Sequence, residues 1–422
     1  MNRTVATSIA IVGAGPSGCF LAQALLKADP ELKVDLIDRL PVPYGLVRYG
    51  VAADHQGTKG ITRQFERVFE RMGATFLGNL AIGEDVSLDD LRACYDVVVL
   101  AAGLPGDRQL GIPGEDLDGV IRAGDLTRAL YEHPDAGPLP KLGKRVVIMG
   151  NGNVAIDLLR ILGKTPEELA GSDFGAGPSA WLAANDIETI DIVGRSPAEA
   201  AKFDPVMIKE LARLSGVTIR VEDMGSAESD DGRKKLDALA AVDGHGAGPR
   251  HLTFRFGLTP AEITGEGGKV TGIRFRKSGG ETVELACDAF ITAVGFAAAG
   301  PLGRDDLIAS AEDLAAGALA PGLYATGWFR RGPRGTIPEN RADAQALAAR
   351  ILADLDAGGE AAAKGGRDRL VEGRSDLVDY AGWKRIDEAE TADLPADRTR
   401  RKIACRQDML ALALQKSEEL NG

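Results

Sequence analysis

The sequence predicts an α/β protein, on three observations. An apolar run at Ile9–Val12 leads into Gly13-Ala14-Gly15-Pro16-Ser17-Gly18. A second, at Val146–Met149, leads into Gly150-Asn151-Gly152-Asn153-Val154-Ala155. After each turn comes helical spacing and then another apolar run, so each is a β-α-β unit. The chain therefore reads as two Rossmann-like dinucleotide-binding domains.

Composition bounds the rest. A chain of 422 residues is too long for one small core. Apolar residues at 44% and charged residues at 27% are ordinary for a soluble globular protein. A net charge of −12 argues against a nucleic-acid partner, which calls for a basic surface. No apolar run approaches the ~18 residues of a membrane span, and the first strand begins without a signal-peptide pattern. A cytoplasmic location is expected. Cys19, Cys94, Cys287 and Cys405 include no CxxC pair, which argues against a dithiol centre or a cysteine-held metal. They are expected to be buried thiols, and no metal site is predicted.

The elements follow in order. Helical spacing from Gly18 to Lys27 leads to a second strand at Val34–Ile37, ending at Asp38. Phe65–Met72 reads as helix and Tyr95–Gly103 as a strand buried on both faces. The Gly/Pro-rich passage Gly103–Val120 marks a boundary. In the second unit the helix runs from Asn153 to Leu162 and the next strand from Ile187 to Val193. Thr165–Asp186, between them, reads as a surface excursion. Asp204–Leu214 reads as a helix with Pro205 at its start. Ser226–Arg250 is polar and glycine-rich and reads as an exposed connection. Strands are expected within His251–Leu258, Val270–Ser278 and Cys287–Phe296, and a long helix from about Asn340. From Ala357 onward a polar helical tail is expected on the surface.

In the first loop, Gly13 makes the tight turn, Gly15 lets the backbone approach a pyrophosphate, and Gly18 lets the helix pack on the strand. The helix start then offers unpaired N–H groups and a positive dipole end. Asp38, at the end of the next strand, can accept ribose hydroxyls. The second loop keeps two glycines and has Ala155 third, an accepted variant. Its strand ends in Gly194-Arg195-Ser196. A guanidinium there suits the 2′-phosphate of NADP, which an acid would repel. Opposite charge logic means two different nucleotides, FAD on the first loop and NAD(P)H on the second. That describes a flavoprotein exchanging hydride with a nicotinamide cofactor.

Longer stretches sit in order along the chain: Val42–His55 (VPYGLVRYGVAADH), GNGNVAID, VGRS, Gly327–Ile337 (GWFRRGPRGTI) and Gly382–Glu390 (GWKRIDEAE). Together they resemble the adrenodoxin-reductase-type ferredoxin–NADP⁺ reductases over nearly the whole length. The resemblance implies an FAD domain built from both chain ends, 1–107 and 320–422, with the NAD(P) domain, 108–319, inserted between them. It implies noncovalent FAD, NADPH as hydride donor and a ferredoxin-like iron–sulfur acceptor. Its FAD contacts fall on Gly13, Gly15, Ser17, Gly18, Asp38, Leu46, Ile82, Trp328, Gly335, Thr336 and Ile337. Its NADP contacts fall on Asn151, Gly152, Asn153, Val154, Arg195, Ser196, Glu210 and Gly335. His55 and Glu210 match polar residues near the nicotinamide–flavin junction, with positioning or proton-handling roles.

Two departures matter. Ser196 stands where the family commonly has a second arginine, so NADH becomes an alternative donor. Glu339 adds an acid where a neutral residue is usual. Docking of an acidic ferredoxin would need clustered cations; Arg330, Arg331 and Arg334 and the run Asp397–Lys402 are the candidates. No membrane partner is expected, and a monomer is favoured. Two other readings remain open: a flavin-dependent reductase of a small molecule, and a non-catalytic redox sensor.

Overall fold

In a computed structural model describing residues 7–357 and 364–415, two six-stranded sheets organise the chain. The first sheet runs, in spatial order, Ala318–Ala320, Leu323–Ala325, Val97–Leu100, Ser8–Val12, Lys33–Ile37 and Thr75–Leu77. Its strands are parallel except at the Ala318–Ala320 edge. The second runs Val120–Arg122, Ala289–Thr292, Arg145–Met149, Thr189–Val193, Arg250–Arg255 and Val217–Val221, parallel throughout. Central strands are near-continuous apolar runs because both faces are covered, as parallel crossovers require. Chain from both ends completes the first sheet, and helix Ile337–Ala357 packs on helix Pro16–Ala28. Gly106–Asp107 pairs antiparallel with Phe296–Ala297 where the chain passes between the two sheets. A three-stranded antiparallel sheet, from Leu258 to Ala286, flanks the second.

Four expectations are corrected. The stretch expected to be an exposed connection contains helix Asp230–Ala240, which buries Ala238 and Leu239. Ser229 caps it by accepting from Gly232 N at 3.0 Å, and Asp231 pairs with Lys235 one turn on. The helix expected to reach Leu214 ends at Glu210 and tightens into a 3₁₀ turn at Leu211–Arg213. Cys405 is exposed, unlike the other three thiols.

The fourth correction concerns part of the excursion at Thr165–Asp186 and part of the tail, which meet in a buried seam. Most of both stretches is exposed or half-buried, and the tail is helical as expected. Leu169, Phe174, Trp383, Ile386 and Met409 are all buried. Gly171 N donates to Asp397 O at 2.8 Å and Thr399 N to Ser172 O at 3.0 Å. Lys59 and Lys402 converge on Asp173 at 2.7 and 3.0 Å. Burial opposes the Asp173 charge, but Lys402 and Lys59 outweigh it and lower its pKa. Burial pushes Lys59 itself down to about 8. Glu390, 0% exposed, pairs with Arg48 and with Arg400. Each of these buried charges has an opposite partner, the condition under which burial is tolerated, although Arg48 Nε has no hydrogen-bond partner.

Candidate active site between two dinucleotide loops

The two glycine loops share one construction. Gly13 has φ +112°, and a Cβ there would lie 2.4 Å from Ala101 O. Gly150 has φ +128°, and a Cβ would lie 2.2 Å from Ala293 O. Only glycine fits either turn. At the second glycines the surroundings open: a Cβ on Gly15 would meet nothing nearer than Gly45 Cα at 3.9 Å, and one on Gly152 nothing within 4 Å. Those gaps are room for a ligand backbone. The helices that follow, Pro16–Ala28 and Asn153–Gly163, have no side-chain cap and no acid in their first turn. Helices starting at Leu88, Pro205, Asp230 and Tyr380 are each capped by Ser or Asp. Other helices, among them those starting at Thr62 and Ala176, also lack a cap. At these two starts, however, the uncapped N–H groups follow an open second glycine, which keeps them for an anion.

Around the first loop, Asp38 accepts from Ala14 N and Leu40 N, both at 3.0 Å. Burial raises its pKa against those two bonds. Ser17 sits against Gly327, where a Cβ would meet its Oγ at 2.1 Å. Trp328 Nε1 donates to Gly335 O at 3.0 Å, which fixes the turn carrying Thr336 and Ile337. Leu46 is 42% exposed beside that loop, a large apolar side chain without protein cover. Ile82 is buried in the core, so only its main chain can face a nucleotide.

Motif reading missed Asp343. Its carboxylate accepts from Gly327 N at 2.7 Å and Thr326 Oγ1 at 2.8 Å, and it pairs with Arg330 and Arg331. It ties helix Ile337–Ala357 to the Trp328 turn. Glu339, the unexpected acid, bends back onto Thr336 N and Oγ1, the geometry of a capping box. The Thr336 bonds lower its pKa.

On the second loop, Asn151 Nδ2 is buried without a partner. Asn153 Oδ1 accepts from Asp204 N at 2.9 Å. Val154 and Ser196 are half-buried and Arg195 is exposed, with no ion pair among the described residues. Ala155 is buried, its methyl accommodated where the first loop requires Gly18.

His55 and Glu210, 155 residues apart, meet with Nε2 to Oε2 at 3.2 Å. Asp157 Oδ1 lies 3.8 Å from His55 Nδ1. Beneath them Arg160, 3% exposed, pairs with Asp157 and Asp54, and Lys164 pairs with Asp54 as well. Burial works against the Asp54 charge, yet Arg160 and Lys164 bring its pKa down to about 2. Asp173 N also donates to Ala53 O at 2.9 Å. His55 is thus held by residues of the second unit, Asp157 at the end of the GNGNVAID stretch and Glu210 far from any glycine motif.

Two nucleotide cradles and a joined acid–imidazole pair define a pyridine-nucleotide-linked flavoprotein architecture. Residues 7–245 match the family described as pyridine nucleotide-disulphide oxidoreductase. The chain is 40% identical to cindoxin reductase of Citrobacter braakii, covering 98% of this chain and 93% of that one. It is 34% identical to the NADPH-ferredoxin reductase FprA of Mycobacterium tuberculosis, covering 96% and 99%. The structure of that FprA in complex with NADPH superposes with TM-score 0.89 at 34% identity, over 97% of this chain and 100% of the other. The chain belongs to the adrenodoxin-reductase-type ferredoxin–NADP reductases, a branch of the pyridine nucleotide-disulphide oxidoreductase fold. All four of its cysteines are free, so the disulphide in the broader family's name has no counterpart here.

Among the described residues no helix is long and apolar enough to cross a membrane. Most cations of the two docking candidates are engaged: Arg330 and Arg331 by Asp343, and in the run Asp397–Lys402 Arg398, Arg400 and Lys402 by Asp397, Glu390 and Asp173. Arg334 and Arg401 are exposed, with no ion pair among the described residues. A different surface is more basic. A groove of about 660 Å³ is lined by Lys27, Arg63, Arg67 and Arg341 with no acid among its lining residues.

Proposed function

We propose that this protein is an FAD-dependent NADPH oxidoreductase that hands single electrons to a ferredoxin-type iron–sulfur acceptor. What carries the reading is the pairing of two uncapped glycine cradles in one chain with the His55–Glu210 contact that joins their units. Residues 1–107 and 320–422 would hold FAD, and 108–319 NADPH. Bound flavin supplies the step from two-electron hydride chemistry to one-electron transfer.

The side chains bind and position. Gly15 and the start of helix Pro16–Ala28 would receive the FAD pyrophosphate, and Asp38 its ribose. Gly335, Thr336 and Ile337 would face the flavin ring, with the Trp328 bond fixing their turn. Arg195 would hold the 2′-phosphate, and Ser196 in place of a second cation would relax the preference for NADPH over NADH. His55 Nε2 and Glu210 Oε2 would share a proton beside the nicotinamide and hold the approach of the two rings. The groove of Lys27, Arg63, Arg67 and Arg341 would receive the acidic face of the acceptor, attraction that acts at short range against a net charge of −12. A monomeric cytoplasmic protein completes the proposal.

The test is reduction of cytochrome c by NADPH with the FAD-loaded protein, with and without added ferredoxin. Strong dependence on ferredoxin is expected. Absence of flavin absorbance after FAD addition would sink the reading, and ferredoxin-independent reduction of small acceptors alone would favour a small-molecule reductase.

A further inference from the structure

One cation near the second loop has no role so far. The segment after Arg195 leaves the end of strand Thr189–Val193 and comes back to the glycine turn. It returns at Lys202, whose main chain pairs with Gly152 in an isolated parallel bridge. Two residues on, Asp204 N is tied to Asn153 Oδ1 at 2.9 Å. Ala198, Ala201 and Phe203 are buried, so the return path is packed in place.

Lys202 itself is exposed and, among the described residues, has no ion pair or side-chain hydrogen bond. The acids of the same segment are turned to other work. Asp204 Oδ1 accepts from Val206 N at 2.9 Å, and Glu199 packs against Gly232. Lys202 is paired with Gly152, next to the open space over that glycine and an uncapped helix start; the unpartnered Nδ2 of Asn151 lies against Gly194, at the strand end. Arg195 stands at the other end of the segment, at the strand end where the ribose is read. An amine next to the second glycine is next to the pyrophosphate position, because that glycine is the one a pyrophosphate approaches.

We propose that Lys202 is a cofactor-binding residue that pairs with the pyrophosphate of the nicotinamide dinucleotide, the group NADPH and NADH share. Arg195 is then the only charged reader of the 2′-phosphate. The proposal rests on the second loop being the NADPH site. It would offset the cation that Ser196 lacks: one positive charge would stand at the shared phosphates instead of at the discriminating one.

Calorimetric titration of the FAD-loaded, oxidised protein with NADP⁺, NAD⁺ and adenosine 2′-monophosphate separates the roles without turnover. In Lys202→Ala the Kd for NADP⁺ and NAD⁺ should rise by the same factor, about five- to tenfold for a partly solvated ion pair. Binding of adenosine 2′-monophosphate, which has no pyrophosphate, should not change, and Lys202→Arg should keep most of the affinity. Arg195→Ala should show the complementary pattern, weakening NADP⁺ and adenosine 2′-monophosphate but not NAD⁺. A Lys202→Ala effect confined to the two 2′-phosphorylated ligands, or no effect on any, overturns the assignment. If wild-type protein binds none of the three, the reading of the second loop fails, and this assignment fails with it.

Discussion

The first and second dinucleotide loops differ less in their glycines than in how their readers are held. Asp38 is packed into its own loop by two backbone N–H bonds, with burial raising its pKa. Arg195 is exposed, with no ion pair among the described residues. The third positions differ in the same sense. A Cβ at Gly18 would lie 2.0 Å from Gly13 O, whereas the second loop accommodates the methyl of Ala155. On the proposed assignment the first loop would be built tight around resident FAD, and the second left open to a nicotinamide cofactor that must arrive and leave. A preorganised reader lowers the cost of ordering on binding, while a solvated one allows exchange.

The largest expected effect is at the tight loop. Gly18→Ala should lose FAD on desalting and cost about 3 kcal/mol or more of stability, because the clash is with backbone. Flavin absorbance after gel filtration and a thermal melt check this; retained flavin would show that the two loops are equally tolerant. Next comes the joint between them. The folded pKa of Asp54, about 2, lies below its unfolded value of about 4, so its contribution is complete above the unfolded pKa and is lost as pH falls toward 2. Asp54→Asn should therefore remove about 2–3 kcal/mol at neutral pH and flatten the acid limb between about pH 5 and 2. Urea unfolding across that range is the measurement, and parallel curves would contradict the assignment.

Smaller effects sharpen the readers. Arg195→Ala should raise the Kd for NADPH about tenfold and leave NADH unchanged, and Ser196→Arg should widen the preference by a similar factor. Glu210→Gln should slow flavin reduction by NADPH about tenfold in stopped flow with little change in Kd, as expected for a positioning contact. The smallest is Ala155→Gly, expected to cost about 1 kcal/mol in a melt while flavin stays bound. Loss of flavin in that variant would mean that the loops are not independent.

The loops were legible because their requirements are local. A turn with φ above +100° can be met only by glycine, and a second glycine at fixed spacing leaves room for a ligand backbone. Arg195 was legible because a strand end is a defined place. His55 and Glu210 came from resemblance alone, since nothing local foretells a contact across 155 residues. The seam was misread for a similar reason. Asp173, Glu390 and Lys402 are charged residues that look like surface until their partners, far away in sequence, are in place. Helix Asp230–Ala240 was hidden by its charge and by Gly232, although Ser229 and the Asp231–Lys235 spacing announce it.

The most direct measurement is anaerobic stopped-flow reduction of the FAD-loaded protein by NADPH and by NADH, in wild type and Arg195→Ala. The account predicts that both donors bleach the flavin, that NADPH saturates at lower concentration, and that the substitution removes this difference. Flavin that stays oxidised with NADPH, or a preference for NADPH that survives in Arg195→Ala, would contradict it.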